Sequence, residues 1–90
     1  MPQNPLRNLL NRLLWDSSLD INDYIIAFRS RGAPNEIEEM NASNLVRVTR
    51  DFAIFTSGGM LKLIPLHRIL YVRNIKTGER LYPFKRELRT

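Results

Sequence analysis

Phe52-Ala53-Ile54-Phe55-Thr56-Ser57-Gly58-Gly59-Met60-Leu61-Lys62-Leu63-Ile64 is the stretch that decides the fold. Two short runs of β-forming residues flank a turn with two consecutive glycines, which enter positive φ at no steric cost. That pattern is a hairpin, so the strands are antiparallel. Leu45-Val46-Arg47-Val48-Thr49 forms a preceding strand, joined through the tight turn Arg50-Asp51. Downstream, Pro65-Leu66-His67-Arg68 interrupts the ladder, because proline has no N–H to donate. Ile69 to Ile75 is the next strand, Lys76-Thr77-Gly78-Glu79 a turn, and Arg80-Leu81-Tyr82 a last short strand stopped by Pro83.

Further upstream, Tyr24-Ile25-Ile26-Ala27-Phe28 is short and almost continuously apolar. Such a strand is buried on both faces and belongs in the middle of a sheet. It ends at Arg29-Ser30-Arg31-Gly32-Ala33-Pro34, where glycine and proline punctuate the chain. Asn35 to Asn44 is polar and acidic and reads as a short edge strand or a loop.

The amino-terminal segment has a different period. Leu6, Leu9, Leu10, Leu13 and Leu14 make one apolar stripe of a helix, with Arg7, Asn8, Asn11 and Arg12 on the other face. Asn4 is the expected N-cap, and Pro5 the first helical residue, where a missing N–H costs nothing. Asp16-Ser17-Ser18 ends the helix by competing for backbone hydrogen bonds. Trp15 follows the stripe and is expected in the core at the helix–sheet junction. The reading is an α+β fold: an N-terminal helix packed on a curled antiparallel sheet of about five or six short strands, with a partial barrel as the limit of the curl. One domain is expected over 1–90, with its core at about 5–84 and a charged tail at 85–90.

A chain of 90 residues buries roughly 60–65% of its unfolded surface, enough for a shallow groove but not a deep enclosed cavity. There is no cysteine, so disulfides, thiolate zinc sites and thiol chemistry are excluded. The single histidine, His67, makes a poor metal set with carboxylates alone. No metal or cofactor is therefore expected. No apolar run reaches the ~20 residues of a membrane span, and the start lacks the marks of a signal peptide, so a cytoplasmic location is expected. The net charge is +5, from 14 basic and 9 acidic residues. Only Lys62, Lys76 and Lys85 are lysines, leaving 14 − 3 = 11 arginines. Their planar forks suit phosphate, and a positive field steers toward polyanions. Arginine ion pairs on a stable surface would use the same residues.

Acid–base cleavage of a phosphodiester commonly uses two histidines, and this chain has one. Ser30 would be a nucleophile only if His67 folded beside it, and no nucleophile elbow marks it. No catalytic residue is assigned. A phosphate site is the better use of these residues: Arg31 and Arg68 as forks, His67 as a hydrogen-bonding partner, and Gly32 allowing close backbone approach. The competing reading has His67 capping a strand break and the arginines paired with Glu36, Glu38 or Asp51. Among the aromatic residues, Tyr71 and Tyr82 are the candidates for stacking on bases.

Leu9-Leu10-Asn11-Arg12-Leu13-Leu14-Trp15-Asp16, Asp23-Tyr24, Arg31-Gly32-Ala33-Pro34-Asn35 and Ile64-Pro65-Leu66-His67-Arg68-Ile69 occur in this order. From Leu6 to Leu81 the chain resembles the RNA cyclic-group end-recognition domain family of small archaeal proteins. The resemblance implies a non-catalytic module that binds RNA through a 3′-end 2′,3′-cyclic phosphate, alongside RNA-processing proteins. It implies contacts from two motifs, a His-Arg-Gly and a His-Arg-Ile. The second is intact as His67-Arg68-Ile69. In the first, Ser30 stands where the family has histidine, followed by the expected Arg31 and Gly32. A serine hydroxyl still donates to a phosphate oxygen, but it cannot become a cation. Two other classes stay open on the residues: a protein-interaction adaptor using an edge strand near Glu36 to Glu39, and an enzyme acting on cyclic phosphates through His67.

Overall fold

Eleven residues, Pro5–Trp15, form helix α1. The structure, a computed structural model, describes residues 4–83; the expected charged tail, and Phe84 before it, lie outside the described residues. Asn4 is the N-cap: its side-chain oxygen accepts from the N–H groups of Leu6 (3.0 Å) and Arg7 (3.3 Å). Pro5 follows at the first helical position, so both neighbouring orphan donors are satisfied and the third is absent. Asn4→Ala is expected to lower stability by about 1 kcal/mol. Thermal denaturation should show a midpoint lower by roughly 4–8 °C.

Seven antiparallel strands follow, divided between two sheets that do not close into a barrel. The first has the order β2-β1-β6-β7 and the second β3-β4-β5. Strand β1 is Tyr24–Arg29, β2 Ile37–Asn41, β3 Leu45–Val48, β4 Phe52–Ser57, β5 Met60–Pro65, β6 Ile69–Asn74 and β7 Arg80–Tyr82. β1 is central, as its continuous apolar run predicts, and β2 lies at the sheet edge. Even outward-facing Ala27 is fully buried, because its register partners Glu39 and Tyr71 flank it on either side.

The chain changes sheets twice, each time through one 3-10 turn. Ala42–Asn44 carries it from β2 to β3, and Leu66–Arg68 from β5 to β6. The three-residue period of such a turn sets which side chains point in. Leu66 and Ile69 are buried, while His67 and Arg68 between them are exposed. The backbone N–H of Leu66 also donates to the carbonyl of Asp51 (2.9 Å), fastening this corner to the turn between β3 and β4.

The leucine stripe of α1 and the inner faces of both sheets share one core. Phe28 of the first sheet and Phe55 of the second are fully buried, with ring centroids 5.8 Å apart. Lys62, register partner of Phe55, reaches across the gap. Its ammonium lies 5.4 Å from the Phe28 ring centroid and 3.0 Å from the Glu38 carboxylate. An ion pair thus bridges the two sheets at the rim of the core, with the lysine stem covering apolar surface.

Trp15 is not in the core. It is 79% exposed. Successive helical residues are about 100° apart, so Trp15 lies about 200° from Leu13, on the face away from the stripe. The stripe ends with Leu13, which is buried, and Leu14, which is half-buried. Asn8, Asn11 and Arg12 share Trp15's face and line a groove of about 430 Å³ with it.

Candidate functional site

The register of the central strands sets which end of the sheet the candidate segments leave and enter. Phe28 near the end of β1 pairs with Ile69 at the start of β6. Ser30-Arg31-Gly32 leaves β1, and His67-Arg68 enters β6, at the same end of this ladder. Adjacent strands lie about 4.8 Å apart, so the Phe28–Ile69 pair brings the two arginine-bearing segments to the same end of the sheet. A bulge sits at this end: Ala27 pairs with Tyr71 but Phe28 with Ile69, leaving Leu70 as the extra residue. Bulges bend a strand and re-aim its side chains.

The loop after β1 is closed by its own backbone. The N–H of Ser30 donates to the carbonyl of Glu36 (2.8 Å), that of Ala33 to Ser30 (3.3 Å), and that of Glu36 to Ala33 (2.8 Å). Gly32 has φ +87°, a conformation that strains any residue with a Cβ. The N–H groups of Arg31 and Gly32 have no acceptor among the described residues. Successive N–H groups next to a positive-φ glycine are the donor arrangement that anion-binding turns use.

Among the described residues neither Arg31 nor Arg68 pairs with a carboxylate. Among the described residues the ion pairs are Arg12–Asp16, Lys62–Glu38, Arg73–Glu39 and Lys76–Asp23. Glu38, one of the expected arginine partners, is taken by Lys62. The His67 side chain has no hydrogen bond to any described residue, and the turn it occupies has no side-chain cap.

His67 sits where two shallow grooves join. One, of about 530 Å³, is lined by Asn4, Arg50, Asp51, Phe52, Pro65, Leu66 and His67. The other, of about 290 Å³, runs past Asn4, Leu66 and His67 to Tyr82. Arg50 belongs to the site by position, although the sequence marks it only as a turn residue. It arrives there because the Leu66–Asp51 hydrogen bond brings the β3–β4 turn against the corner. Asp51 is the carboxylate among the lining residues.

The two tyrosines separate. Tyr82 is the register partner of inward-facing Val72 and flanks His67. Tyr71, one residue before Val72, faces the other way. Its hydroxyl donates to Glu39, and the Arg80 guanidinium lies 4.3 Å from its ring centroid. That carboxylate holds the Tyr71 phenol above the usual tyrosine range, first through the hydrogen bond, then with partial burial and its negative charge. No group of three His, Asp or Glu side chains among the described residues could hold a metal ion. No helix there is long and apolar enough to cross a membrane.

The description MJ1316 RNA cyclic group end recognition domain names a family model that matches residues 4–83. The chain belongs to this family. The match takes in α1, both sheets, Ser30-Arg31-Gly32 and His67-Arg68. Relatives of the MJ1316 domain share this extent. A UPF0248 protein of Methanococcus vannielii is 39% identical over 77 residues, covering 86% of this chain and 88% of that protein. The UPF0248 protein MJ1316 of Methanocaldococcus jannaschii is 32% identical over 80 residues, 89% of this chain and 94% of that protein. A UPF0248 protein of Pyrobaculum islandicum is 30% identical over 74 residues, 82% of each. No solved structure gives a significant match.

Proposed function

We propose that this MJ1316-family chain is a non-catalytic, cytoplasmic RNA-binding module that recognises phosphate-bearing RNA ends, with a 2′,3′-cyclic phosphate as its ligand. The observation that supports this reading is that Ser30-Arg31-Gly32 leaves β1 and His67-Arg68 enters β6 at one end of the β1–β6 ladder, with neither arginine paired to a carboxylate among the described residues. A cyclic phosphate is a monoanion with two unbridged oxygens, which one guanidinium fork can hold together. Arg31 and Arg68 clamp it, the Gly32 N–H approaches it, and His67 and Ser30 fix its orientation. Tyr82, which lines a groove with His67, takes the terminal base, and Arg50, in the other groove at His67, adds positive potential; Ser30, Arg31, Gly32 and Arg68 line neither groove. The module positions an end for RNA-processing partners and breaks no bond. Ser30, unable to become a cation, leaves the cationic work to the arginines.

The test is a titration of isotopically labelled protein with uridine 2′,3′-cyclic phosphate, followed by backbone amide shifts. The largest changes are expected at Ser30 to Gly32 and at Leu66 to Arg68. Changes confined to other segments would remove the site from this corner.

A second reading, a protein-interaction module, is favoured by one observation. Edge strand β5 exposes Met60, Leu61 and Leu63, the last two beside Thr56 and Ile54 on the outer face of the second sheet. A long apolar edge of this kind invites addition of a partner's strand. The two readings predict different results for the double variant Leu61→Lys, Leu63→Lys. Under RNA-end recognition its affinity for cyclic-phosphate RNA stays within about twofold. Fluorescence anisotropy of labelled RNA checks this, and a large loss would move binding to the apolar face.

A further inference from the structure

Trp15 is an indole left out of the core, on a helix face that carries no other apolar side chain. It is 79% exposed, although tryptophan is on average among the more buried residues. The groove beneath it is lined by Asn8, Asn11, Arg12 and Asp16. Asp16 is occupied at the helix end: its carboxylate accepts from the Ser18 hydroxyl (2.6 Å) and N–H (3.0 Å), and lies 3.8 Å from the Arg12 guanidinium.

We infer that this face of α1 is a second nucleic-acid contact, in which Trp15 stacks on an unpaired RNA base several nucleotides upstream of the bound end. The inference rests on the part of the reading above that makes RNA the ligand. The residues supply each element that single-stranded recognition uses. An aromatic plane stacks on any base, side-chain amides reach base edges, and the exposed Arg12 guanidinium, held to Asp16 only at 3.8 Å, turns to a phosphate. A protein partner would want the indole ringed by further apolar or occluding contacts; here its neighbours are amides and charges. The net charge of +5 also favours a polyanion.

The placement fits one continuous path. Asn4, the N-cap, lines both grooves at His67, and Trp15 is the last residue of the same helix. Eleven residues at about 1.5 Å each separate the two ends by roughly 16 Å. At about 3.4 Å per stacked nucleotide, that is some five nucleotides, or fewer if the strand is extended. An RNA held by its end at His67 therefore reaches Trp15 only when it is longer than two or three nucleotides.

Trp15 is the single tryptophan of the chain, so its fluorescence reports this site alone. The experiment titrates wild type, Trp15→Ala and Trp15→Phe with two-nucleotide and eight-nucleotide RNAs, each with a cyclic-phosphate or a 3′-hydroxyl end, at one fixed salt concentration. The expected result has three parts. The eight-nucleotide RNA quenches Trp15 and the two-nucleotide RNA does not. Trp15→Ala weakens the eight-nucleotide RNA about tenfold and leaves the two-nucleotide RNA unchanged. Trp15→Phe retains most of the affinity. Quenching without any preference between ends would overturn end recognition and leave the Trp15 contact standing. End preference with no quenching, and with Trp15→Ala binding both lengths as wild type does, overturns the contact alone. Absence of binding to all four RNAs overturns both.

Discussion

Phe28→Ala is expected to lose about 3–5 kcal/mol of stability, the range for removing a buried aromatic ring. A domain of this size has roughly 5–13 kcal/mol in total, so the variant sits near the edge of folding. The site makes the loss large for a structural reason. Phe28 is fully buried on the central strand and faces Phe55 of the other sheet at 5.8 Å. Its ring also lies under the Lys62 ammonium that reaches over to Glu38. Three strands surround the position, so the cavity cannot collapse without shifting the ladder. Urea denaturation followed by circular dichroism would measure the loss. A cost below 1 kcal/mol would mean that the two sheets do not share the core described.

Arg68→Ala is expected to weaken binding of cyclic-phosphate RNA by about 2 kcal/mol, roughly thirtyfold, the scale of a charged hydrogen-bonding partner. Arg68 is exposed and pairs with no carboxylate among the described residues, so folding stability should change by less than about 0.5 kcal/mol. Arg68→Lys separates two causes. Lysine keeps the charge but not the planar fork. If the fork holds the phosphate, the lysine variant recovers only part of the loss; if charge alone acts, it recovers nearly all. Binding of 3′-hydroxyl RNA should fall much less in either variant. An Arg68→Ala protein with unchanged affinity and preference would remove Arg68 from the site.

Much of the architecture is legible because local chemistry and the tertiary fold agree. The Gly58-Gly59 turn, the continuous apolar run of β1, the Asn4-Pro5 start of α1 and the end of β5 at Pro65 each act over a few residues; Pro65 itself stays in the ladder opposite Phe52, and the break falls at Leu66–Arg68. The division into two sheets is not local. It depends on Ala42–Asn44 and Leu66–Arg68 turning corners, and the first of these reads in sequence as ordinary polar loop. At Trp15 two local cues conflict: hydrophobicity suggests the core, while its helical angle from Leu13 puts it outside. The angle wins, since one rigid helix can present only one stripe to the sheets. Arg50 could not be found from its neighbours. Its place beside His67 comes from the Leu66–Asp51 backbone bond, between residues far apart in sequence. Ser30-Arg31-Gly32 and His67-Arg68 are visible as two similar breaks. Their arrival at one end of the sheet follows only once β1 and β6 are known to pair.

The most direct measurement is a paired titration of the wild-type chain with two RNAs identical except at the 3′ end, one a 2′,3′-cyclic phosphate and the other a hydroxyl. It should be run at two salt concentrations, since general phosphate contacts weaken steeply with salt. End recognition predicts at least a tenfold preference for the cyclic end, about 1.4 kcal/mol, that persists as overall affinity falls. Equal binding of both RNAs, collapsing together as salt rises, would contradict it.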